Sequence, residues 1–325
     1  MIYNMYKKRN IPDVVVPYLT FESPNSFTLG VKDAKKHWDG TLRYSTDTQN
    51  WTKWDGTNTI SSGVDNGKNV IYLAGTGNSV ICKGNSSNYS WVLTGDNIAC
   101  KGNIENLLDW QTVEAGGHPD MASDCYSNMF QGCTSLTTAP SLPATTLAAY
   151  CYDSMFYGCT SLTTAPSLPA TTLENYCYNS MFQGCTSLTT APSLPATTLV
   201  AHCYNSMFYG CTSLTTAPSL PATDLATFCY YSMFRGCTSL TTVPSLPATN
   251  LATYCYSRMF RGCTKIKLSS TRSGEYITEY RIPTSGTGTT TTEALTNMFT
   301  ETGGTFTGTP IINTTYYLSN TNTIV

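Results

Sequence analysis

Apolar residues in the middle of the chain follow a pattern that is half helical and half irregularly alternating, and the pattern recurs. In LAAYCYDSMFYGCTSLTTAPSLPATT, Leu147 to Thr172, apolar side chains stand at Leu147, Cys151, Tyr152, Met155 and Phe156, then at Cys159, Leu162, Ala165, Leu168 and Ala170. Leu147, Cys151 and Met155 have the i, i+4, i+8 spacing of one helix face, with Tyr152 and Phe156 beside it. The unit is 26 residues long and occurs six times between Met121 and Lys267. Its cysteines step in register at Cys125, Cys151, Cys177, Cys203, Cys229 and Cys255, and eight residues on at Cys133, Cys159, Cys185, Cys211, Cys237 and Cys263. A fixed period of this size predicts a stacked solenoid, in which each unit buries its apolar side only against its neighbours.

Local signals within one unit predict helix, then strand, then loop. Asp120, Thr146, Thr172, Thr198, Asp224 and Asn250 stand where a helix N-cap belongs. A glycine follows each apolar run, from Gly132 through Gly158 to Gly262, the expected stop because glycine adopts the left-handed conformation cheaply. A helix of about eleven residues is expected between them. Leu162 to Ala165 reads as a short strand, ended by Pro166, which has no N–H to donate. The expected fold class is therefore an α/β solenoid, one short helix and one short parallel strand per repeat, preceded by a small all-β sandwich.

The spacing C-x-x-L-x-x-A, with Met-Phe three residues before the cysteine, resembles the BspA-like leucine-rich repeats. Met155-Phe156 stands where that family has Ala-Phe, Cys159 and Leu162 match its Cys and Leu, and Ala165 replaces its Ile. The family's second Ile has no counterpart, and the unit is about three residues longer than the usual repeat. The resemblance implies surface adhesion or binding, by proteins of gut bacteria or their phages.

The flanks read differently. TLRYSTDTQNWTKWDGT, GKNVIYLAGTG and SWVLTG predict strands with polar or glycine-rich turns. Trp38, Trp51, Trp54 and Trp91 lie here and are expected to be core side chains rather than a sugar-stacking platform. Ser45-Thr-Asp47-x-x-x-Trp51 faintly resembles an Asp-box hairpin, a structural motif. The division expected is an N-terminal arm at 1–13, the sandwich at 14–98, a cap or linker at 99–120, the six-repeat solenoid at 121–268, and an insertion plus degenerate capping repeat at 269–325. Ile104, Leu107, Leu108 and Trp110 are placed to cover the first coil, and Met298-Phe299 to align with Met155-Phe156 in a seventh unit. The threonine-rich run from Gly286 to Thr292 reads as a surface loop.

Charge is sparse, 12% of residues, with 18 basic against 20 acidic side chains. Nucleic-acid binding needs a basic face, and none is visible. No stretch approaches the roughly 20 apolar residues of a membrane span, and Pro12, Asp13 and Pro17 break the only segment resembling a secretory leader. Twelve of 14 cysteines occupy repeat positions, which favours reduced thiols acting as small buried hydrophobes over disulfides or metal ligands. His37 and His118 lack a flanking acid or nucleophile pattern, and His202 stands where other copies carry an aromatic ring. No phosphate loop, nucleophile elbow or metal-ligand spacing is present, so a non-enzyme with no cofactor and no metal is expected.

Comparing the copies separates scaffold from free surface. Positions equivalent to 148–150, 153, 154 and 157 vary, and 149, 153 and 157 would form a second helix stripe. On it or beside it stand Tyr157, Tyr209, Tyr231, Arg235, Arg258 and Arg261, candidate anchors for a partner because Tyr and Arg dominate interface hot spots. The uniform Thr and Ser rows are a rival surface for a repeating polymer such as a glycan. The function expected is binding or structural display on a surface. The first reading is a bacteriophage fibre or decoration protein that contacts protein or glycan on a host and joins other virion proteins through its N-terminal region. A bacterial cell-surface adhesin and the targeting module of a glycan-active enzyme are the alternatives.

Overall fold

The computed structural model describes residues 17–82 and 89–325. The expected arm at 1–13 and the leader-like segment up to residue 16 lie outside the described residues.

From Leu19 to Lys101 alternating burial builds β-structure. In β1 (Leu19–Ser23), Leu19, Phe21 and Ser23 point inward and the residues between them outward. β1 pairs antiparallel with β7 (Lys68–Thr76) and β9 (Ile98–Lys101). β7 also pairs with β3 (Thr41–Ser45) and β6 (Gly63–Asp65), and β3 with β4 (Thr52–Trp54). A smaller sheet orders β5 (Ile60–Ser61), β2 (Thr28–Val31) and β8 (Trp91–Thr94). Trp38, Trp54 and Trp91 are buried, with ring centroids 5.1 and 5.7 Å apart along the series, whereas Trp51 is half-buried. The Ser45–Trp51 segment is the β3–β4 turn. Asp47 accepts hydrogen bonds from the backbone N–H groups of Gln49 and Asn50, which hold its carboxyl well below the usual carboxylate range.

The larger sheet runs on into the repeats. β10 (Leu136–Thr138), in the first coil, pairs parallel with β9. Phe21 and Trp91 lie 6.1 and 6.2 Å from Phe130, so the N-terminal β layer covers the first coil's open end. Ile104, Leu107 and Leu108 are buried as well, and Trp110 is half-buried. The helix α1 (Asn106–Glu114) packs on β7 instead, so closely that a Cβ on Gly75 would sit 1.7 Å from the Leu107 carbonyl oxygen. Only glycine fits there.

The solenoid carries no helix in its repeats. Two parallel bridge columns join the coils. One runs through Thr138, Thr164, Thr190 and Thr216; the other includes Thr146–Thr172 and Thr198–Asp224–Asn250–Thr289. Five of the six residues read as N-caps, all but Asp120, are thus in the second column, and the expected strand narrows to one bridged residue per middle coil. Where the helix was expected, alternate N–H groups go two ways. Asp153, Met155 and Tyr157 donate to carbonyls three residues back, while Ser154, Phe156 and Gly158 donate to Asn179, Met181 and Gln183 in the next coil. Tyr150, Tyr152 and Ser154 have φ of 58, 56 and 53°, so left-handed residues interrupt the helical ones and cancel the helical advance.

Spacing explains the difference. The Phe column from Phe130 to Phe260 stacks with centroids 5.6 to 5.7 Å apart. The Tyr column from Tyr126 to Tyr256 stacks at 5.6 to 5.8 Å. Packed α-helices need about 8–10 Å between axes, so one helix per coil does not fit at this rise. A ladder of turns, hydrogen-bonded from coil to coil, does. Each repeat glycine, such as Gly184 at φ 73°, keeps its left-handed conformation but closes a turn rather than a helix.

All 14 cysteines carry free, buried thiols. In the second column the Cys159, Cys185 and Cys211 thiols donate to the Phe130, Phe156 and Phe182 carbonyls of the preceding coil, each at 3.1 Å. Burial pushes the Cys185 and Cys263 thiols up to about 12.

Beyond Lys267 the stack closes. Phe260 donates to the Met298 carbonyl and Phe299 stacks on Phe260 at 5.4 Å, one coil further along. Thr302 replaces the cysteine, and its hydroxyl donates to Phe299 of its own coil at 2.8 Å. β14 (Thr315–Ser319) pairs with β12 (Leu268–Ser269) and β13 (Tyr276–Arg281), and β15 (Thr323–Ile324) pairs with β11 (Thr242–Val243). The run from Gly286 to Thr292 is more than a surface loop: Thr289 continues the second bridge column beyond Asn250.

Phe182, buried between Phe156 and Phe208 at 5.6 and 5.7 Å, makes the packing testable. Phe182→Ala is expected to cost about 3–5 kcal/mol, because neighbours held by coil-to-coil hydrogen bonds cannot collapse into the gap. Urea unfolding monitored by circular dichroism reads it, and a loss below about 1 kcal/mol would refute rigid columnar packing.

Candidate functional site

Two open clefts lie toward the N-terminal end. One cleft is lined by Asp33, Lys35, His37 and Tyr89, another by His118, Met121 and Leu147. Both histidines have acid partners that sequence reading missed. His37 pairs with Asp33 four residues earlier, and the His118 Nδ1 sits 2.9 Å from the buried Glu105 carboxylate. The first pairing was visible as D-x-x-x-H; the second joins residues brought together only by the fold. Among the described residues no group of three or more His, Cys, Asp or Glu is placed to hold a metal ion.

The array instead presents two long surfaces. On the turn side the 149/153/157 stripe survives in part: the columns of Ala149 and Tyr157 are exposed or half-buried, while loss of the 3.6-residue period turns part of the Asp153 column inward. Ser127, Asp153 and Ser257 are buried. In the neighbouring column, that of Ser154, Asn128 and Ser232 are buried and the others, Arg258 among them, half-buried.

Most of the six predicted anchors gather nevertheless. Tyr209, Arg235 and Arg261 occupy one column, with the Arg235 guanidinium 5.1 Å from the Tyr209 ring centroid. Arg261 Nη2 donates to Glu301 at 2.8 Å, which holds the Glu301 carboxyl below its ordinary value. One column over, Arg258 lies 5.6 Å over the Tyr231 ring and donates to its hydroxyl at 2.7 Å. Tyr157 stands apart in an earlier coil, 37% exposed, with Gln183 between it and Tyr209. Every arginine of the group is therefore pre-oriented by a neighbour in the array.

Beside this edge runs a feature the sequence marked only through His202. Tyr150, Tyr176, His202, Phe228 and Tyr254 stack with centroids 4.3 to 4.7 Å apart and planes within 14° of parallel. Both faces of Tyr176, His202 and Phe228 are covered by neighbouring rings, so these three offer no face to a sugar. His202 accepts the stack as a neutral ring: burial lowers its pKa, and the Asn205 amide lies 3.1 Å from its Nδ1.

The strand side is chemically the opposite, rows of Thr and Ser without charge through the first four coils until Asp224. Thr189 and Thr215 donate from Oγ1 to the Thr163 and Thr189 carbonyls, at 3.4 and 3.5 Å, which orients that column.

A family model for the BspA-type leucine-rich repeat region matches in 6 copies, over residues 118–241 and 154–283. Together these spans cover half of the chain. The chain belongs to the BspA-type leucine-rich repeat family. No curated protein and no solved structure matches it. The family is of binding and structural rather than catalytic type, and its members are typically associated with bacterial surfaces. No helix among the described residues is long and apolar enough to cross a membrane.

Proposed function

We propose that this BspA-type chain is a non-enzymatic binding protein displayed on a bacteriophage particle, as a fibre or decoration protein. Its N-terminal β region, residues 14–98, attaches to other virion proteins, and the late coils contact a protein or glycan on the host surface. The observation that carries the contact surface is the clustering of Tyr209, Tyr231, Arg235, Arg258 and Arg261 on one edge, each arginine held by a ring or a carboxylate. Groups already oriented lose little entropy on binding, and Tyr and Arg are the side chains that make hot spots. Tyr157 extends the same edge toward the N-terminus.

A cell-surface adhesin of the producing bacterium is the second reading, favoured by the usual surface association of the family. Mass spectrometry of gradient-purified particles and of cell envelopes separates the two. The virion reading expects the chain in particles, and its presence in envelopes alone would replace that reading with the adhesin. For the contact surface, a Tyr231→Ala/Arg235→Ala double variant should retain its circular dichroism and lose at least roughly tenfold in binding to whole host cells. Unchanged binding removes this edge from the interface.

A further inference from the structure

Exposed positions on the two sides of the array behave differently across the copies. Gly132–Thr145 is repeated without change in the next three copies and with one change, the buried Val243, in the fifth. Over the same copies the positions equivalent to 149 and 157, exposed or half-buried throughout, change freely. A recent duplication would have left both halves alike.

Packing accounts for only part of the constancy. Leu162 and Cys159 are buried, and the Thr163 column is tied to neighbouring carbonyls. Thr160, Thr164, Ser167 and Thr171 are exposed. Among the described residues, no hydrogen bond engages their hydroxyls or those of their counterparts in the two following coils. Nor does the coil require uncharged residues on this side. In the sixth copy Lys265 and Lys267 replace the counterparts of Ser161 and Thr163, with Ile266 still buried between them.

We propose that the strand-side hydroxyl face is a second binding site, for a linear, uncharged polysaccharide lying along the solenoid axis. The face's chemistry selects the partner. It lacks the cations that nucleic acid requires, the aromatic and arginine anchors of protein hot spots, and the apolar or basic surface that binds membranes. What it offers is unengaged hydroxyls, able to donate and accept, in columns repeated at bridged-strand spacing of about 4.8 Å. A neutral polymer with a hydroxyl-bearing unit of similar rise meets the same contacts at each coil. Contacts too weak singly then sum along the chain as linked binding events. The site extends the binding reading above to a second face and is independent of the Tyr/Arg edge.

The test uses the full chain with linear neutral polysaccharides (cellulose, xylan, mannan) in pull-down, and their oligosaccharides of increasing length in calorimetry. Retention on at least one polymer is expected, with affinity rising with length until the oligosaccharide spans the like coils. A Thr164→Val/Thr190→Val/Thr216→Val variant keeps the β-branched shape and should bind at least roughly tenfold more weakly. Asn175→Ala, exposed on the turn side and outside both surfaces, should bind the polymer unchanged. The inference is overturned by retention on none of the three polymers, by equal retention of the threonine variant, or by loss in Asn175→Ala alone. Failure to bind them together with faceting of growing ice crystals would assign the face to ordered water instead.

Discussion

Deleting Leu173–Thr198, one whole unit, is expected to yield a folded, soluble protein one coil shorter. The cut brings the second copy against the fourth. Phe156 then meets Phe208 as it now meets Phe182, because the contacts between coils repeat at nearly constant geometry: 5.6 Å for one Phe pair and 5.7 Å for the next. The donors Ser154, Phe156 and Gly158 find Asn205, Met207 and Tyr209 where Asn179, Met181 and Gln183 stood. Both ends keep their covers, since Trp91 and Phe21 contact only the first coil's Phe130, and Phe299 only the sixth coil's Phe260 among the Phe column. Removing half a unit, Leu173–Cys185, should abolish folding. It would bring a Thr-Ser-Leu segment over a turn segment and leave apolar columns facing hydroxyls, while alternate backbone donors lose their carbonyls. Circular dichroism and gel filtration of the two deletions decide it. A folded half-unit deletion, or an insoluble whole-unit deletion, would show that the coils are not interchangeable layers.

Alkaline unfolding is the second large effect. A thiol kept neutral by burial holds its proton in the fold at a pH where the unfolded chain has released it. The folded state then binds more protons, so stability falls as pH rises. The loss begins near the ordinary thiol value, 9.0, and continues toward the folded values, pushed up to about 12 for Cys133, Cys151, Cys185, Cys255 and Cys263. Within that window each thiol removes about 1.4 kcal/mol per pH unit. Several acting together exceed the roughly 5–15 kcal/mol by which a domain is stable. The buried tyrosines from Tyr126 to Tyr256, also raised by burial, act in the same direction. Under reducing conditions the protein should unfold cooperatively between roughly pH 10 and 11 and refold on return to pH 8. At pH 8 its thiols should react with a thiol reagent only after addition of denaturant. Retention of the native tryptophan fluorescence at pH 11.5, or rapid labelling at pH 8, would contradict sealed thiol columns.

The binding surfaces were only partly legible in the sequence. Arg235, Arg258 and Arg261 stood out because they bring charge to variable positions where earlier copies carry Gln, Tyr, Asn or Ser, but Glu301, which binds Arg261, lies 40 positions away in a degenerate unit. The pairing of Tyr231 with Arg258 crosses two columns and depends on how far one coil is turned relative to the next.

What the sequence determined by itself is periodicity and what lies inside. Residues recurring every 26 positions must occupy equivalent environments in a stack, so the cysteines, Met-Phe pairs and leucines could be placed in the core from their spacing. Conformation within the unit was decided only by tertiary structure. A glycine stop and a Thr or Asp start are satisfied equally by a helix and by a ladder of turns, because both ask for a left-handed residue at one end and an extended one at the other. The choice between them belongs to the distance between coils. Stacked rings at about 5.6 Å and bridged backbones leave no room for helices, and carbonyls in the next coil take the hydrogen bonds that a helix would have kept to itself.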